Sequence, residues 1–522
     1  MTARHHDAPS LRDSWRADLP ASLVVVLVAL PLCLGIALAS GAPLASGLVA
    51  GVIGGIVVGA LSNSQLMVSG PAAGLTAIVF AGIGTLGSFE NFLVAVVIGG
   101  VLQVGLSVAR AGVIGYYFPS AVIKGMLAAI GIILILKQLP HAVGFDADFV
   151  GDESFAQPNA ENTFTALAHM FQQTQLGAVL IAAVSLAVLI AWSRPALKVL
   201  RVVPAPLVVV VLGVALNQLF EASWPALAVR STHLVQLPVA SSPAGWAEFL
   251  TTPSWGALTA AATWKLGVTL AIVASLETLL SLEATDKMDP YKRESDTNRE
   301  LMAQGVGNTL SGLVGGLPLT GVIVRSAANI DAGARTRWSA ILHGVLLLVA
   351  VLSIPAVLNL IPLAALAAML IHTGFKLAAP ALFRTAWRQG RAQFIPFTVT
   401  VVAIVLTDLL IGIAIGLSVA AAFILAQYLR QPALRLISPQ GTVLKRYALP
   451  DQATFLSKAN LERTLSALPE GSRIEIDGSH TTRFDHDVLE LLHGFTATAA
   501  LRDIDYRLVN VPAALTTPTH RH

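Results

Sequence analysis

The chain has 522 residues, 55% of them hydrophobic and 12% charged, with a mean hydropathy of +0.72. That composition excludes an ordinary soluble enzyme and describes a polytopic membrane protein. The formal charge of +3 and the pI near 9.0 belong to membrane-flanking loops, since no run of Lys and Arg with interleaved aromatics offers a nucleic-acid face.

Arg4, Arg12 and Arg16 precede an apolar stretch from Pro20 to Ala39 that has no small-residue cleavage site, so residues 1–19 read as a cytoplasmic segment before a retained first span. Cys33, the single cysteine, lies inside this span and reads as a small buried hydrophobe, with no internal disulfide or metal cluster possible. Further apolar segments follow at roughly 44–62, 66–86, 92–109, 115–137, 174–193 and 202–220. A second set lies at roughly 264–284, 301–316, 318–331, 338–354, 356–375, 392–409 and 410–428. The pattern predicts a transmembrane domain over 20–430, with seven spans in each of two repeats, at about 20–220 and 264–430. Charge supports the count. Arg110, Arg194, Lys198, Arg201, Lys287, Arg293 and Arg337 fall in predicted inner loops, whereas the outer loop 138–173 holds Asp146, Asp148, Asp152, Glu153 and Glu161 and no Lys or Arg.

Two segments differ from the rest. The third contains Ser69-Gly70-Pro71-Ala72-Ala73-Gly74-Leu75-Thr76, and the tenth contains Gly315-Gly316-Leu317-Pro318-Leu319-Thr320-Gly321-Val322-Ile323. Each is third of seven, and because seven is odd the two halves run in opposite senses across the membrane. Paired Gly/Pro-interrupted segments in inverted halves point to a transporter site near the midplane. A helix starting near Leu319 would aim free N–H groups and its positive dipole end into a cavity, where they attract an anion. The predicted anion ligands are therefore Ala72, Ala73, Gly74 and Leu75 with Thr320, Gly321, Val322 and Ile323. Arg325, about one and a half turns beyond Leu319, adds positive field.

Glu277 lies near the middle of the eighth span, where a carboxylate must be paired, hydrated or protonated. Two roles compete: an ion pair with Arg325, and a titrating site that carries a coupling proton. Ser69, Thr76, Ser275, Ser281 and Thr320 offer hydroxyls near the breaks, Asp408 reads as a cap between the last two spans, and Lys124 and Lys137 read as snorkelling to the interfaces. Beyond Tyr428 the chain turns polar. Residues 431–522 read as a linker and a small cytoplasmic α/β domain, with a strand at 473–479, a helix at 487–500 and a strand at 506–511. No H-x-E, C-x-x-C, G-x-S-x-G or Walker-type loop is present, so the reading is not an enzyme and includes no cofactor or metal.

Over about residues 15–430 the chain resembles the sulfate permease (SulP) family, bacterial relatives of solute carrier family 26. The matching pieces are Ala29-Leu30-Pro31-Leu32-Cys33-Leu34-Gly35 in the first span, Val68-Ser69-Gly70-Pro71 in the third, Gly315-Gly316-Leu317-Pro318 and Arg325-Ser326-Ala327-Ala328-Asn329 around the tenth, and Thr407-Asp408-Leu409-Leu410-Ile411-Gly412. The most specific is Asn298-Arg299-Glu300-Leu301 leading to Gly305.

The resemblance implies an all-α membrane fold of fourteen spans as two intertwined inverted seven-helix repeats, divided into core and gate domains and dimeric, in a bacterial inner membrane with both termini cytoplasmic. It places substrate between the broken third and tenth spans and adds a shortened C-terminal STAS module. Relatives move sulfate, bicarbonate, chloride or dicarboxylates by elevator-like motion, and keep an acidic residue where Glu277 stands for proton or sodium coupling. Gly321, Val322 and Ile323 lack the hydroxyl of the sodium-coupled branch, which leaves Ser281 and backbone carbonyls as oxygen donors and favours H+ over Na+. Ser479 falls near the module's phosphorylatable loop, with a turn role as the alternative. The combined reading is proton-coupled symport of sulfate or bicarbonate. The alternatives are an uncoupled anion channel, a chloride/bicarbonate exchanger, and a dicarboxylate or nucleobase permease of the same fold.

Overall fold

The computed structural model describes residues 14–146, 155, 162–172, 174–192, 194, 203–237, 250–430, 434–437 and 443–513. Asp148, Asp152, Glu153, Glu161, Lys198 and Arg201, used above to orient the loops, lie outside them.

Apolar residues continue long enough in each predicted span to close a helix, and seven segments form before residue 224: Trp15–Ala39, Leu44–Leu61, 69–86, Phe89–Val108, Ser120–Ala142, Leu176–Trp192 and Ala205–Ser223. The second seven are Ala261–Met288, Thr297–Leu313, 319–331, Trp338–Ser353, Leu363–Leu377, Arg391–Leu406 and Leu409–Arg430. Eight helices among the described residues are long and apolar enough to cross a membrane, and four shorter apolar ones accompany them. The ninth segment falls outside both groups because it carries a polar face, and the tenth because its helix has only nine residues.

Both broken segments open as short strands. β1 (Ser69–Pro71) pairs antiparallel with β2 (Leu319–Gly321), with Ser69 opposite Gly321 and Pro71 opposite Leu319. A 3₁₀ turn at Ala73–Leu75 leads into the helix Thr76–Leu86, and β2 leads into the helix Ile323–Asp331. An antiparallel pair formed by the third segment of each half is the contact that opposed repeats produce.

Glycines let these helices cross at backbone distance. A Cβ on Gly100 of the fourth segment would stand 2.4 Å from Thr309 N of the ninth. One on Gly374 of the twelfth would stand 2.6 Å from Gly131 O of the fifth. Small residues at such crossings are how helices pack without a hydrophobic drive between them. Asp408 caps the last segment as expected, accepting from Ile411 N at 2.8 Å. Lys137 departs from expectation: it is buried within the fifth segment instead of reaching an interface, because the fifth segment is walled by its neighbours.

By internal contacts the chain divides into two compact units, Met1–Ala420 and Ala421–His522. In the second, β3 (Arg435–Leu436), β4 (Leu444–Ala448), β6 (Arg473–Asp477) and β8 (Asp505–Val509) form a sheet in the order β3-β4-β6-β8. β5 (Gln452–Ala453) and β7 (Arg483–Phe484) form a small separate pair. β4, β6 and β8 run parallel, joined by the helices Phe455–Ser466 and His486–Leu501, as parallel strands require crossovers. β6, the second helix and β8 match the sequence reading. β4 and the first helix were not anticipated, because Lys445 and Arg446 mask a five-residue strand and Phe455–Ser466 buries only Leu461 and Leu465.

Beyond the fifth segment, Asp146 ties the loops together. Its two carboxylate oxygens meet His141 Nδ1 and His233 Nδ1, and Gln175 Nε2 lies 2.6 Å from His233 Nε2. Burial works against the charge, yet the hydrogen bonds and charges of the two histidines hold Asp146 below its ordinary value. A carboxylate with a depressed folded value contributes stability that is present above its unfolded value, near 3.9, and lost as pH falls through the folded one. Asp146→Asn should therefore lower stability at pH 7 by about 1–3 kcal/mol. In thermal melts of the purified protein, the gap from wild type should narrow as pH falls below about 4.

Candidate functional site

The third and tenth segments meet where their helices begin. Val322 is the N-cap residue of Ile323–Asp331, and its N–H donates to Val68 O at 2.9 Å. The N–H groups of Ile323, Val324 and Arg325 stand in the first turn, where no intrahelical acceptor exists. Opposite them Ala72 takes the N-cap position of the turn Ala73–Leu75. The helix in the tenth segment begins four residues later than expected, because Leu319–Gly321 is drawn into the strand pair. Thr320 and Gly321 are thus strand residues, with Thr320 fully buried.

A small cavity of about 20 Å³, room for about one water, lies between the two helix starts. Among the residues expected to form the site, it brings together Ala73, Val322, Ile323, Arg325, Glu277 and Ser281, with Val324 beside them. Leu32, Ile36, Ile130 and Leu409 supply apolar wall. Ala72, Gly74, Leu75, Thr320 and Gly321 adjoin the cavity without lining it. Gly74 nevertheless has a direct bearing on it: a Cβ there would stand 3.1 Å from both oxygens of Glu277. Glu277 and Ser281 are one turn apart on the eighth segment and share the cavity face. Ser479 lies in the other unit, exposed in the turn after β6. Its N–H donates to Asp477 Oδ1 at 2.9 Å and its hydroxyl takes a bond from Asn510 Nδ2 at 2.7 Å, the pattern of a turn residue.

Arg325 is 0% exposed, and its guanidinium runs back from the helix start toward the first and second segments. Nη2 donates to Cys33 Sγ at 3.3 Å, and Nε and Nη1 have no hydrogen-bond partner. Among the described residues it has no hydrogen bond to a carboxylate. A Cβ on Gly70 would stand 2.1 Å from Nη1, so the glycine in β1 is what admits the guanidinium. Arg325 therefore places a positive charge behind the strand pair.

Sequence reasoning missed three groups that hold this arrangement. Cys33 partners Arg325, Thr278 Oγ1 receives Gly321 N–H at 3.2 Å, and Ser326 Oγ receives Val68 N–H at 3.0 Å. Each neighbours a residue or motif already singled out, and that adjacency was the available signal.

A larger cavity of about 820 Å³ lies at the other end of the first segment. Arg16, Pro20, Val24 and Val28 line it, and Leu32 and Ile36 line the small one. These six residues recur every fourth position along a single helix, which therefore borders both cavities. His372, Lys376 and Asp331 stand at the wide end, with Lys376 Nζ 3.3 Å from Asp331 Oδ2.

A model of the sulfate permease family matches residues 15–400. YvdB of Bacillus subtilis, whose name assigns it provisionally to sulfate transport, is 28% identical over 414 residues, covering 78% of this chain and 73% of that protein. The bicarbonate transporter BicA of Synechocystis is 26% identical over 327 residues, covering 62% of this chain and 53% of BicA, so the match spans about half of that relative. Among solved structures, that of SLC26A9 aligns with a TM-score of 0.69 at 15% identity, covering 97% of this chain and 86% of that one, a likeness of fold.

If Gly70 exists to admit the guanidinium, Gly70→Ala should cost about 1–3 kcal/mol as an overpacked contact. The loss should shrink in an Arg325→Met background. Thermal melts of the four proteins in that double-mutant cycle measure the coupling, expected at 0.5 kcal/mol or more, in the usual range of about 0.5–3 kcal/mol for contacting residues.

Proposed function

The chain belongs to the sulfate permease family, and on that premise we propose that it is a secondary active transporter of a small inorganic oxyanion, sulfate or bicarbonate, coupled to protons. The observation that carries this reading is the meeting of two helix starts around one cavity that also holds Glu277 and Ser281. Unbonded N–H groups and helix dipoles bind an oxyanion without demanding a particular charge or size, which suits either substrate. The names of YvdB and BicA support the same pair of anions.

Arg325 acts through space in this reading. Its charge stands behind β1, raises the local potential and leaves the anion free to depart, which a bidentate clamp would hinder. Glu277 carries the coupling proton, since it faces the same cavity as the two helix starts. Proton coupling is favoured over sodium because Gly321, Val322, Ile323 and Val324 offer no side-chain oxygen. The first segment, which borders both the site and the wide cavity, provides the path between them, and we place the wide cavity at the cytoplasmic side with both termini. Alternating access then follows from the third and tenth segments moving, with their helix starts, against the fifth and fourteenth. Residues 431–522 act as a STAS-like module that mediates dimer contact or regulation, and the protein resides in the inner membrane.

Uptake of labelled sulfate and of labelled bicarbonate into proteoliposomes tests this. Wild type should concentrate one of them when an inward proton gradient is imposed and not when sodium replaces it. Glu277→Gln should lose the proton dependence, with uptake into the vesicles falling about a hundredfold or reaching only equilibrium. Uptake that merely equilibrates in both proteins would make the carboxylate structural and favour a channel or exchanger.

A further inference from the structure

The ninth segment carries a buried polar face. Glu300, Gln304, Asn308 and Ser311 follow at helical spacing, and each is 3% exposed or less. Such a face is costly in a span unless every group has a partner. The broken segments supply partners for three of the four, whereas Glu300 is held by Ser62 and Gln304. Gln304 Nε2 donates to Ser69 Oγ of β1 at 2.7 Å and to Glu300 Oε1 at 2.9 Å, and Ser311 Oγ donates to Leu317 O at 2.7 Å.

Asn308 makes the most specific contact. Leu319 N donates to Asn308 Oδ1 at 2.7 Å, and Asn308 Nδ2 donates to Leu319 O at 2.9 Å and to Gln103 Oε1 at 2.7 Å. Because a backbone N–H can only donate, the contact to Leu319 also fixes which end of the amide is oxygen. Gln103 Nε2 in turn donates to Ser275 Oγ at 3.2 Å, two residues before Glu277.

The strand geometry explains why an amide is needed there. Val322 N donates to Val68 O, which sets the phase of the ladder: Thr320 faces β1, and Leu319 and Gly321 direct their backbone groups outward. A two-stranded pair has no third strand to receive those groups. Thr278 receives Gly321 N–H, and Asn308 satisfies both the N–H and the C=O of Leu319 as a peptide group of a neighbouring strand would.

We propose that Asn308 is a positioning residue of the anion site, whose side-chain amide sets the height of β2 and hence of the helix start at Ile323. This deepens the transport reading above and rests on it. A slip of one residue would move the chain about 3.3 Å and exchange the two faces of the strand, which would carry the first-turn N–H groups out of the cavity. Gln103 holds Asn308 in its rotamer, and Gln304 does the corresponding work on β1.

The test compares wild type with Asn308→Leu, Asn308→Asp and Gln103→Leu in proteoliposomes, using sulfate and bicarbonate as probes, and follows backbone hydrogen–deuterium exchange of the same proteins. Asn308→Leu should raise KM about tenfold while the maximal rate per folded transporter stays within about twofold. Asn308→Asp keeps an acceptor for Leu319 N–H and should fall between it and wild type, and Gln103→Leu should raise KM less than Asn308→Leu. Exchange should quicken in residues 317–323 and 69–75 and not in the fourth and eighth segments. Should Asn308→Leu fail to fold, Asn308→Asp and Gln103→Leu carry the same comparison. Wild-type KM together with wild-type protection of 317–323 in the folded variants would overturn the proposal, as would exchange that quickens throughout the unit. If wild type takes up neither anion, the transport reading fails, and the exchange pattern still decides whether Asn308 positions the strand.

Discussion

An unbonded N–H or C=O inside a membrane costs several kcal/mol, and a chain that breaks its helix there must find other partners for every group it frees. The third and tenth segments each break in this way, and the strand pair β1–β2 is the first part of the solution. It is incomplete by itself, because two strands of three residues leave both outer edges open. The surrounding helices supply partners from side chains: Thr278 from the eighth segment, Asn308 from the ninth and Ser326 from the tenth meet backbone groups, and Gln304 of the ninth holds the Ser69 hydroxyl. The core of this protein is built around that requirement.

The same requirement positions the chemistry. Once the strands are held, the helices that follow them must start beside one another, and their first-turn N–H groups share one small cavity with Glu277 and Ser281. Gly70 leaves room for the guanidinium of Arg325, which stands where its Cβ would be, and Gly74 brings the first turn of the third segment against Glu277. Backbone donors, one remote positive charge and one titratable carboxylate are thereby concentrated where the two halves cross. The apolar wall from Leu32, Ile36, Ile130 and Leu409 keeps the interior poor in water, which strengthens each electrostatic term.

Much of this was legible in the residues. Gly/Pro breaks at matching places in two sets of seven spans pointed to inverted repeats and to the third and tenth segments, where the strand pair forms, and the glycine-rich runs pointed to Ala73, Val322 and Ile323, which line the small cavity. What the residues concealed has physical causes. Leu319–Gly321 is apolar enough to read as helix, and it becomes strand only because Ser69–Pro71, some 250 residues earlier, offers a ladder. Arg325 points behind β1 because Cys33 and Gly70 leave room there, a fact of packing between distant elements. The spacing of Glu300, Gln304, Asn308 and Ser311 was visible as one helix face, yet spacing alone could not say that a strand edge would meet it. Strand β4 was hidden by its charged residues, because a short parallel strand has little room for alternation.

In the proposed function, the anion sits between the helix starts of the third and tenth segments and not on the guanidinium behind them. Locating selenate, an anomalous scatterer that stands in for sulfate, in crystals of the full-length protein tests this most directly. A single peak is expected within hydrogen-bonding distance of the Ala73 and Val324 backbone nitrogens, with Glu277 facing it and the Arg325 guanidinium out of contact. A peak bonded to Nε and Nη1 of Arg325 behind Gly70, with the cavity beside Glu277 vacant, would contradict it.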